Sequence, residues 1–156
     1  MKPETDNLKR RVRVEIDLGA LVRNYRRIAA HVRPADVLCV LKANAYGLGV
    51  APYAKALAQA GCTRFGVAEP FEALELQKLF GKKKGGPRVQ ILSSVLPDEI
   101  DAMVRAGVTL PVVDTESARL VSAAAVRREG LVVRVACMRR ALPSMASSAS
   151  ASRRRR

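Results

Sequence analysis

The chain has 156 residues, 49% of them hydrophobic and 27% charged, which are globular values and suit one domain with one hydrophobic core. No apolar run approaches the ~20 residues that a membrane-spanning helix needs, and the hydrophilic first residues lack the apolar region of a secretion signal, so we expect no membrane attachment and a cytoplasmic location. The formal net charge of +14 lies in basic runs without interleaved aromatic residues, and the chain has no tryptophan, so the sequence does not favour nucleic-acid binding.

The first elements are predicted to be a strand and an amphipathic helix. Residues 1–10 are expected to form a flexible lead. Residues 11–17 alternate charged with β-branched residues, which is the pattern of a half-buried strand. From Leu18 to Val32, hydrophobic residues recur on one face at the helical period, and Pro34 is expected to end that helix.

An uninterrupted apolar run at 37–41, ending on Lys42, is the most informative stretch of the chain. Such a run is typical of a strand buried on both faces in a parallel sheet. Catalytic groups of these folds collect at the carboxyl ends of strands, where Lys42 lies. Desolvation there would favour the neutral amine, so Lys42 is a candidate Schiff-base nucleophile. A polar turn to Gly49 and a helix from about Val50 to Ala60 are predicted next.

Strand and helix patterns alternate over the rest of the chain, with a period of roughly 20 to 25 residues. The predicted strands are 64–68, 88–93, 108–114 and 131–135, and the predicted helices are 70–80, 97–106 and 115–128. Strict alternation predicts a parallel α/β fold. The periodicity fits either a little over half of an eight-stranded barrel or a complete small doubly wound sheet.

The segment from Lys42 to Gly49 reads K-A-N-A-Y-G-L-G and closely resembles the signature K-A-N/D-A-Y-G-H-G of the fold-type III alanine racemases. The resemblance implies that Lys42 carries the cofactor pyridoxal 5'-phosphate (PLP) and serves as a catalytic residue. It also implies that Tyr46 binds the cofactor phosphate. The sequence departs from the family at Leu48, where the family usually has histidine, and this removes a polar group near the cofactor rim.

A second motif extends the resemblance. Residues 65–76, F-G-V-A-E-P-F-E-A-L-E-L, are similar to the family's F-G-V-A-x-x-x-E-A-x-x-L. The resemblance favours the barrel and implies a partial (β/α)8 TIM-type barrel, truncated after about five barrel strands. We therefore expect a partial PLP-binding barrel domain over residues 11–135. In the family, the segment matching 11–17 pairs with the C-terminal β domain and does not join the barrel.

The resemblance breaks near the end of the chain. The family continues with D-T-G-M-x-R-x-G, whereas residues 136–156 are rich in alanine, serine and arginine and have no apolar period. We expect a disordered tail there. Removing its six arginines would lower the net charge from +14 to +8. The favoured hypothesis is a frameshift or truncation near codon 136 of a GC-rich gene, and the competing one is an arginine tail that binds RNA or anchors the chain.

The resemblance implies an isomerase that converts L-alanine to D-alanine for peptidoglycan synthesis. The family forms homodimers in which a tyrosine from the missing part serves as the second catalytic base across the dimer. We therefore expect this chain to be weak or inactive alone. Two alternatives stay open: a single-domain PLP-binding protein of cofactor homeostasis, whose lysine motif differs from K-A-N-A-Y-G, and a basic nucleic-acid-binding module.

The cysteines and the histidine do not predict a metal site. Cys39, Cys62 and Cys137 form no C-x-x-C pair, and none has metal-ligand spacing to the single histidine, His31. Glu69 and Asp114 lie near predicted strand ends, and we interpret them as helix-start residues, where a negative charge is favourable.

Overall fold

The computed structural model describes residues 14–81, 85–127 and 133–137. The helices are α1 (Leu18–His31), α2 (Lys42–Tyr46), α3 (Val50–Gln59), α4 (Pro70–Phe80), α5 (Pro97–Ala106) and α6 (Thr115–Val126). The strands are β1 (Cys39–Val40), β2 (Arg64–Val67), β3 (Arg88–Ile91), β4 (Leu110–Val112) and β5 (Val135–Cys137). The predicted lead at 1–10 and the predicted tail beyond Cys137 lie outside the described residues.

The five strands in the described part of the chain run parallel and follow one another in chain order. β1, β2 and β3 pair side by side, and β4 pairs with β5. The Thr109 N–H donates to the Val89 carbonyl (2.8 Å) and the Ile91 N–H to the Thr109 carbonyl (3.1 Å), which joins β3 to the start of β4. A doubly wound sheet reverses its strand order at a switch point, whereas a barrel adds strand after strand. The order confirms the predicted α/β fold and agrees with a partial barrel.

The hydrophobic core lies between the sheet and its helices. Phe65 and Val67 of β2 and Val89 and Ile91 of β3 are 0% exposed, so these alternate residues face the helices. Phe65 stacks on Phe80 of α4, with ring centroids 5.6 Å apart. Each such buried side chain contributes roughly 1.5–3 kcal/mol to folding. The helices add the buried side chains Leu57, Leu76, Met103, Val104 and Val121.

Capping residues explain why the predicted helix bounds are close to the observed ones. Asp17 caps α1 by accepting a hydrogen bond from the Ala20 N–H (3.0 Å). α5 begins at Pro97, which has no N–H to leave unpaired, and ends before Gly107, whose φ is 71°. The longest described helix, α1, has 14 residues, and no described helix is long and apolar enough to cross a membrane.

Two predicted strands are wrong in position. Residues 14–17 of the predicted strand 11–17 are not in a strand, and Val14 is 74% exposed, because no described strand pairs with this segment. The last described strand is Val135–Cys137, and residues 133–134 of the predicted strand 131–135 precede it. Its register with β4 sets these bounds, since Ala136 pairs with Pro111 and Cys137 with Val112. β5 thus continues two residues into the segment that was predicted to be a tail.

The predicted strand at 37–41 is shorter and less buried than its apolar run suggests. Its regular part is Cys39–Val40, and both residues are half-buried. The physical reason is its position, since β1 pairs with β2 on one side and has no second neighbour among the described strands. Burial on both faces, as in an inner strand, applies instead to residues of β2 such as Gly66 and Val67.

Candidate functional site

Lys42 lies two residues after the last residue of β1, Val40, at the carboxyl end of the sheet. The Leu41 N–H donates to the Gly66 carbonyl (2.8 Å), which continues the pairing with β2 up to the residue before Lys42. Leu41 is 4% exposed and packs in the core. Lys42, the first residue of α2, is exposed. The burial that the apolar run predicts therefore ends at Leu41.

Lys42 opens a turn of left-handed helix, α2. The φ angles of the next four residues are all positive: Ala43 51°, Asn44 52°, Ala45 54° and Tyr46 56°. A left-handed backbone costs a residue with a Cβ roughly 1–2 kcal/mol. The Ala45 N–H donates to the Leu41 carbonyl (3.0 Å) and the Gly47 N–H to the Ala43 carbonyl (2.8 Å). A strained run of this kind persists when surrounding contacts hold it.

Asn44 provides one such contact, since it ties the left-handed turn to α3. Its carbonyl accepts from the Gly49 N–H (3.0 Å), and its side-chain Oδ1 accepts from the N–H of Val50 (2.8 Å), the first residue of α3. Gly47 and Gly49 have φ angles of 82° and 96°, which glycine adopts without a steric penalty. The G-x-G part of the motif therefore shapes the backbone between α2 and α3.

Glu72 provides a second contact and joins the Lys42 turn to the end of β2. Its Oε1 accepts from the Ala43 N–H (2.5 Å), and its Oε2 accepts from the N–H groups of Ala68 (2.9 Å) and Glu69 (3.0 Å). Glu72 is 9% exposed, and a carboxylate this buried needs hydrogen-bond donors to replace water. Glu72 therefore fixes the backbone immediately after Lys42.

Glu72 is not among the residues that the sequence predicts for the site. Glu69 and Glu72 have the spacing of a capping box, and this signal predicts the bond from the Glu69 N–H. The bond from Ala43 joins residues 29 positions apart, so no local pattern predicts it. A parallel link exists one strand further on, where the Ser93 hydroxyl donates to the Ala68 carbonyl.

Tyr46, the last residue of α2, lies beside an apolar groove. The groove has a volume of about 330 Å³ and is lined by residues of α1, β1, α2 and α3, among them Tyr25, Cys39 and Tyr53. Tyr46 is 63% exposed and Leu48 is 42% exposed. Leu48, which stands where the family usually has histidine, adds an apolar side chain to the lining of this groove.

The remaining titratable candidates have structural positions. Glu69 and Asp114 precede the first residues of α4 and α6, as predicted for helix-start residues. The Ser117 N–H donates to Asp114 Oδ1 (2.7 Å), and this backbone hydrogen bond lowers the pKa of Asp114. Within the described part of the chain, no group of three or more histidine, cysteine or acidic side chains is placed to hold a metal ion.

The sequence and the fold match alanine racemases. The family model "Alanine racemase, N-terminal domain" matches residues 16–138. The catabolic alanine racemase of Mesorhizobium japonicum is 41% identical over 92 residues, which are 59% of this chain and 23% of that protein.

Solved racemases share the fold. Alanine racemase from Streptomyces coelicolor A3(2) superposes with a TM-score of 0.67 and 32% identity, over 78% of this chain and 32% of that one. Alanine racemase from Bartonella henselae, solved with covalently bound pyridoxal phosphate, superposes with a TM-score of 0.61 and 35% identity, over 67% of this chain and 28% of that one. This chain thus spans between about a quarter and a third of these relatives. The match over most of the chain and the shared barrel segment show that it belongs to the alanine racemase N-terminal domain family.

Proposed function

We propose that this chain is the lysine-bearing part of a PLP-dependent amino-acid racemase of the alanine racemase type. The observation that carries the proposal is the position of Lys42, at the carboxyl end of β1 and at the start of the left-handed turn that ends at Tyr46. Two independent contacts, from Asn44 and from Glu72, hold that turn. Family membership supports the assignment of the turn to cofactor binding.

The donor set of the turn fits PLP. A primary amine is the group that bonds covalently to the cofactor's aldehyde carbon, and the Lys42 amine is exposed and free to do so. A phenolic hydroxyl can donate to a phosphate oxygen, and the Tyr46 side chain is exposed on the same turn. Lys42 and Tyr46 are therefore the residues that would hold the cofactor here.

Lys42 has a second role in the proposed reaction. PLP supplies an electron-withdrawing ring that acidifies the Cα–H of a bound amino acid. With the substrate's amino group in place of the lysine on the cofactor, the Lys42 amine would be free to take the proton from Cα on one face of the substrate, or to donate a proton to that face in the reverse direction. The Glu72 bond to Ala43 keeps the backbone of the base in place, which matters because misplacement by about 1 Å can cost roughly a hundredfold in rate.

Racemisation needs a second base on the opposite face of Cα. Tyr46 is assigned to the phosphate, and we assign no second base to a residue of this chain. We therefore expect the chain alone to bind PLP without significant racemisation. For the whole enzyme we propose alanine as the substrate, D-alanine for peptidoglycan as the product and a homodimer as the active form.

The test is covalent trapping at Lys42. The purified chain is incubated with equimolar PLP, reduced with borohydride and mapped by peptide mass spectrometry. We expect about one pyridoxyl group per chain, on Lys42, as a single built site implies. Lys42→Ala should abolish the label, whereas Lys55→Ala, which removes an exposed lysine of α3, should leave it unchanged.

Two outcomes would contradict the proposal. Label scattered over many lysines, or equal labelling of Lys42→Ala, would show that the turn is not a cofactor site. Formation of D-alanine from L-alanine by the wild-type chain, absent in Lys42→Ala, would confirm the site but disprove the expected inactivity of the chain alone.

A further inference from the structure

A second cleft opens on the side of the sheet that faces away from the helices. It has a volume of about 340 Å³ and lies near the amino ends of the strands. Its polar walls are Arg64, Arg88, Gln90, Thr109 and Arg134. From Arg64 to Ala68, the residue after the carboxyl end of β2, the chain advances about 13 Å at ~3.3 Å per residue. The cleft therefore lies at the opposite end of the sheet from the Lys42 turn.

The strand pleat puts these side chains on one face. Phe65 and Val67 of β2 are buried against the helices, so Arg64 faces the other way. The same alternation applies to β3, where Val89 and Ile91 are buried and Arg88 is exposed. The arginines are thus gathered by the fold and are not scattered over its surface.

Two of the arginines are direct neighbours. Arg64 and Arg88 are register partners on adjacent parallel strands, which lie about 4.8 Å apart. Like charges in directly opposite positions destabilise a sheet. Arg64 donates through Nη2 to Gln90 Oε1 (3.3 Å), a neutral partner that does not offset the charge.

The described part of the chain supplies no charge compensation in the cleft. None of the described residues that line it is acidic. Among the described residues, no carboxylate lies within ion-pair distance of Arg64, Arg88 or Arg134. Arg134 extends the positive region across β4, since its carbonyl accepts from the Leu110 N–H (3.1 Å). Three guanidinium groups, without a counter-charge from the described residues, make the cleft electropositive.

We propose that this cleft binds a small polyvalent phosphate anion of the pyrophosphate class. Guanidinium groups bind phosphate oxygens in a bidentate manner, and the Gln90 amide and the Thr109 hydroxyl add neutral donors. A volume of about 340 Å³ lies in the range of small-molecule sites. A bound polyanion would also remove the repulsion between Arg64 and Arg88. A nucleic-acid strand needs a longer basic track with stacking aromatics, and none of the described residues that line this cleft is aromatic.

The test is titration calorimetry of the full chain with pyrophosphate at fixed ionic strength. Arg64→Gln and Arg88→Gln should each weaken binding by about tenfold or more, because each removes a charged double contact. Arg119→Gln removes the same charge from an exposed position on α6 and should change binding by less than about twofold. Background binding to the arginines at 139–156 is the same in all these variants and cancels between them.

Thermal unfolding distinguishes a loss of pyrophosphate binding from a loss of folding. Without ligand, Arg88→Gln should be at least as stable as wild type, since one of two adjacent like charges is gone. Pyrophosphate should raise the Tm of the wild type and of Arg119→Gln but not that of Arg88→Gln.

Three results would overturn the proposal. The first is the absence of measurable pyrophosphate binding. The second is an equal effect of Arg119→Gln and Arg88→Gln, which would show attraction by net charge alone. The third is binding of a single-stranded oligonucleotide through Arg64 and Arg88 that pyrophosphate does not displace. This result would assign the cleft to nucleic acid.

Discussion

The carboxylate of Glu72 accepts a hydrogen bond from the backbone N–H of Ala43, across 29 positions of the chain. The same carboxylate accepts from Ala68 and Glu69, so one buried side chain links the ends of β1 and β2. The residue that follows the proposed catalytic lysine is therefore fixed by the first turn of α4. Changes in Glu72 should affect the Lys42 turn without touching Lys42.

Glu72→Gln should lower the free energy of unfolding by about 2 kcal/mol. A glutamine offers one carbonyl oxygen to three N–H donors, and its NH₂ group must face at least one of them. Urea unfolding measures the loss, and hydrogen exchange at the Ala43 amide should become faster. Glu75→Gln, on the exposed face of α4, is the matched control and should be nearly neutral. Equal effects of the two substitutions would argue against the bridging role.

Ala43→Gly should stabilise the chain by about 1 kcal/mol, because glycine adopts a φ of 51° without the penalty that a Cβ brings. Ala123→Gly, at an exposed right-handed position in α6, should have the opposite sign and cost about 1 kcal/mol. Thermal unfolding of the two variants measures both changes in stability. Destabilisation by both would mean that the turn at Lys42 is not left-handed in solution.

Asn44→Ala should destabilise the chain by about 1 kcal/mol, since the Val50 N–H at the start of α3 loses its acceptor. Asn44→Asp keeps an acceptor oxygen at the same place and should retain most of the stability. Unfolding curves give the free energies, and exchange of the Val50 amide locates the effect. If both variants lost the same stability, the side-chain oxygen would not be the cause.

Tyr46→Phe should weaken PLP binding by roughly tenfold, about 1.4 kcal/mol, because the proposed hydrogen bond to the phosphate is removed. Titration followed by cofactor absorbance measures the affinity. Tyr53→Phe removes a hydroxyl from the neighbouring helix α3 and should leave the affinity unchanged. If Tyr46→Phe bound PLP as tightly as wild type, the Tyr46 hydroxyl would not contact the cofactor. That result would say nothing about the role of Lys42.

The lowered pKa of Asp114 predicts how the stability of the chain depends on pH. The backbone hydrogen bond from Ser117 lowers its pKa in the folded chain below the ordinary value of 3.8. A lowered folded pKa stabilises the fold above the unfolded pKa, and this contribution is lost as the pH falls through the folded pKa. Wild type should therefore have a higher Tm than Asp114→Asn at neutral pH, and the gap should close in acid. A gap that is constant with pH would contradict this origin.

The sequence predicted those elements whose bounds are set by local chemistry. Pro97 and Gly107 mark α5 at both ends, and Asp17 marks the start of α1, because each acts on its own backbone neighbourhood. The strand near Val135 was misplaced because its bounds depend on the register with β4, which no local pattern encodes. The burial of β1 was overestimated for the same reason, since burial depends on neighbouring strands.

In the candidate site, too, some features follow from a local sequence pattern and others depend on the rest of the fold. Lys42 and Tyr46 come from a motif, and their roles stay predictions. The left-handed backbone between them could not be predicted, because alanine and asparagine do not require a positive φ. The pairing of Arg64 with Arg88 could not be predicted either, since both strands were expected but their register was not.

Strand order that follows chain order also has a consequence for folding during synthesis. Each strand of the sheet pairs with the next one to leave the ribosome, so contacts are short in sequence and can form unit by unit. The bond from Ala43 to Glu72 spans 29 positions, somewhat more than the 26 between the register partners Cys39 and Phe65, so it can form only after the residues of β2 have been synthesised. A nascent chain that ends soon after β1 therefore contains Lys42 before Glu72 can bond to Ala43. The Lys42 turn gains this contact only after α4 has emerged from the ribosome.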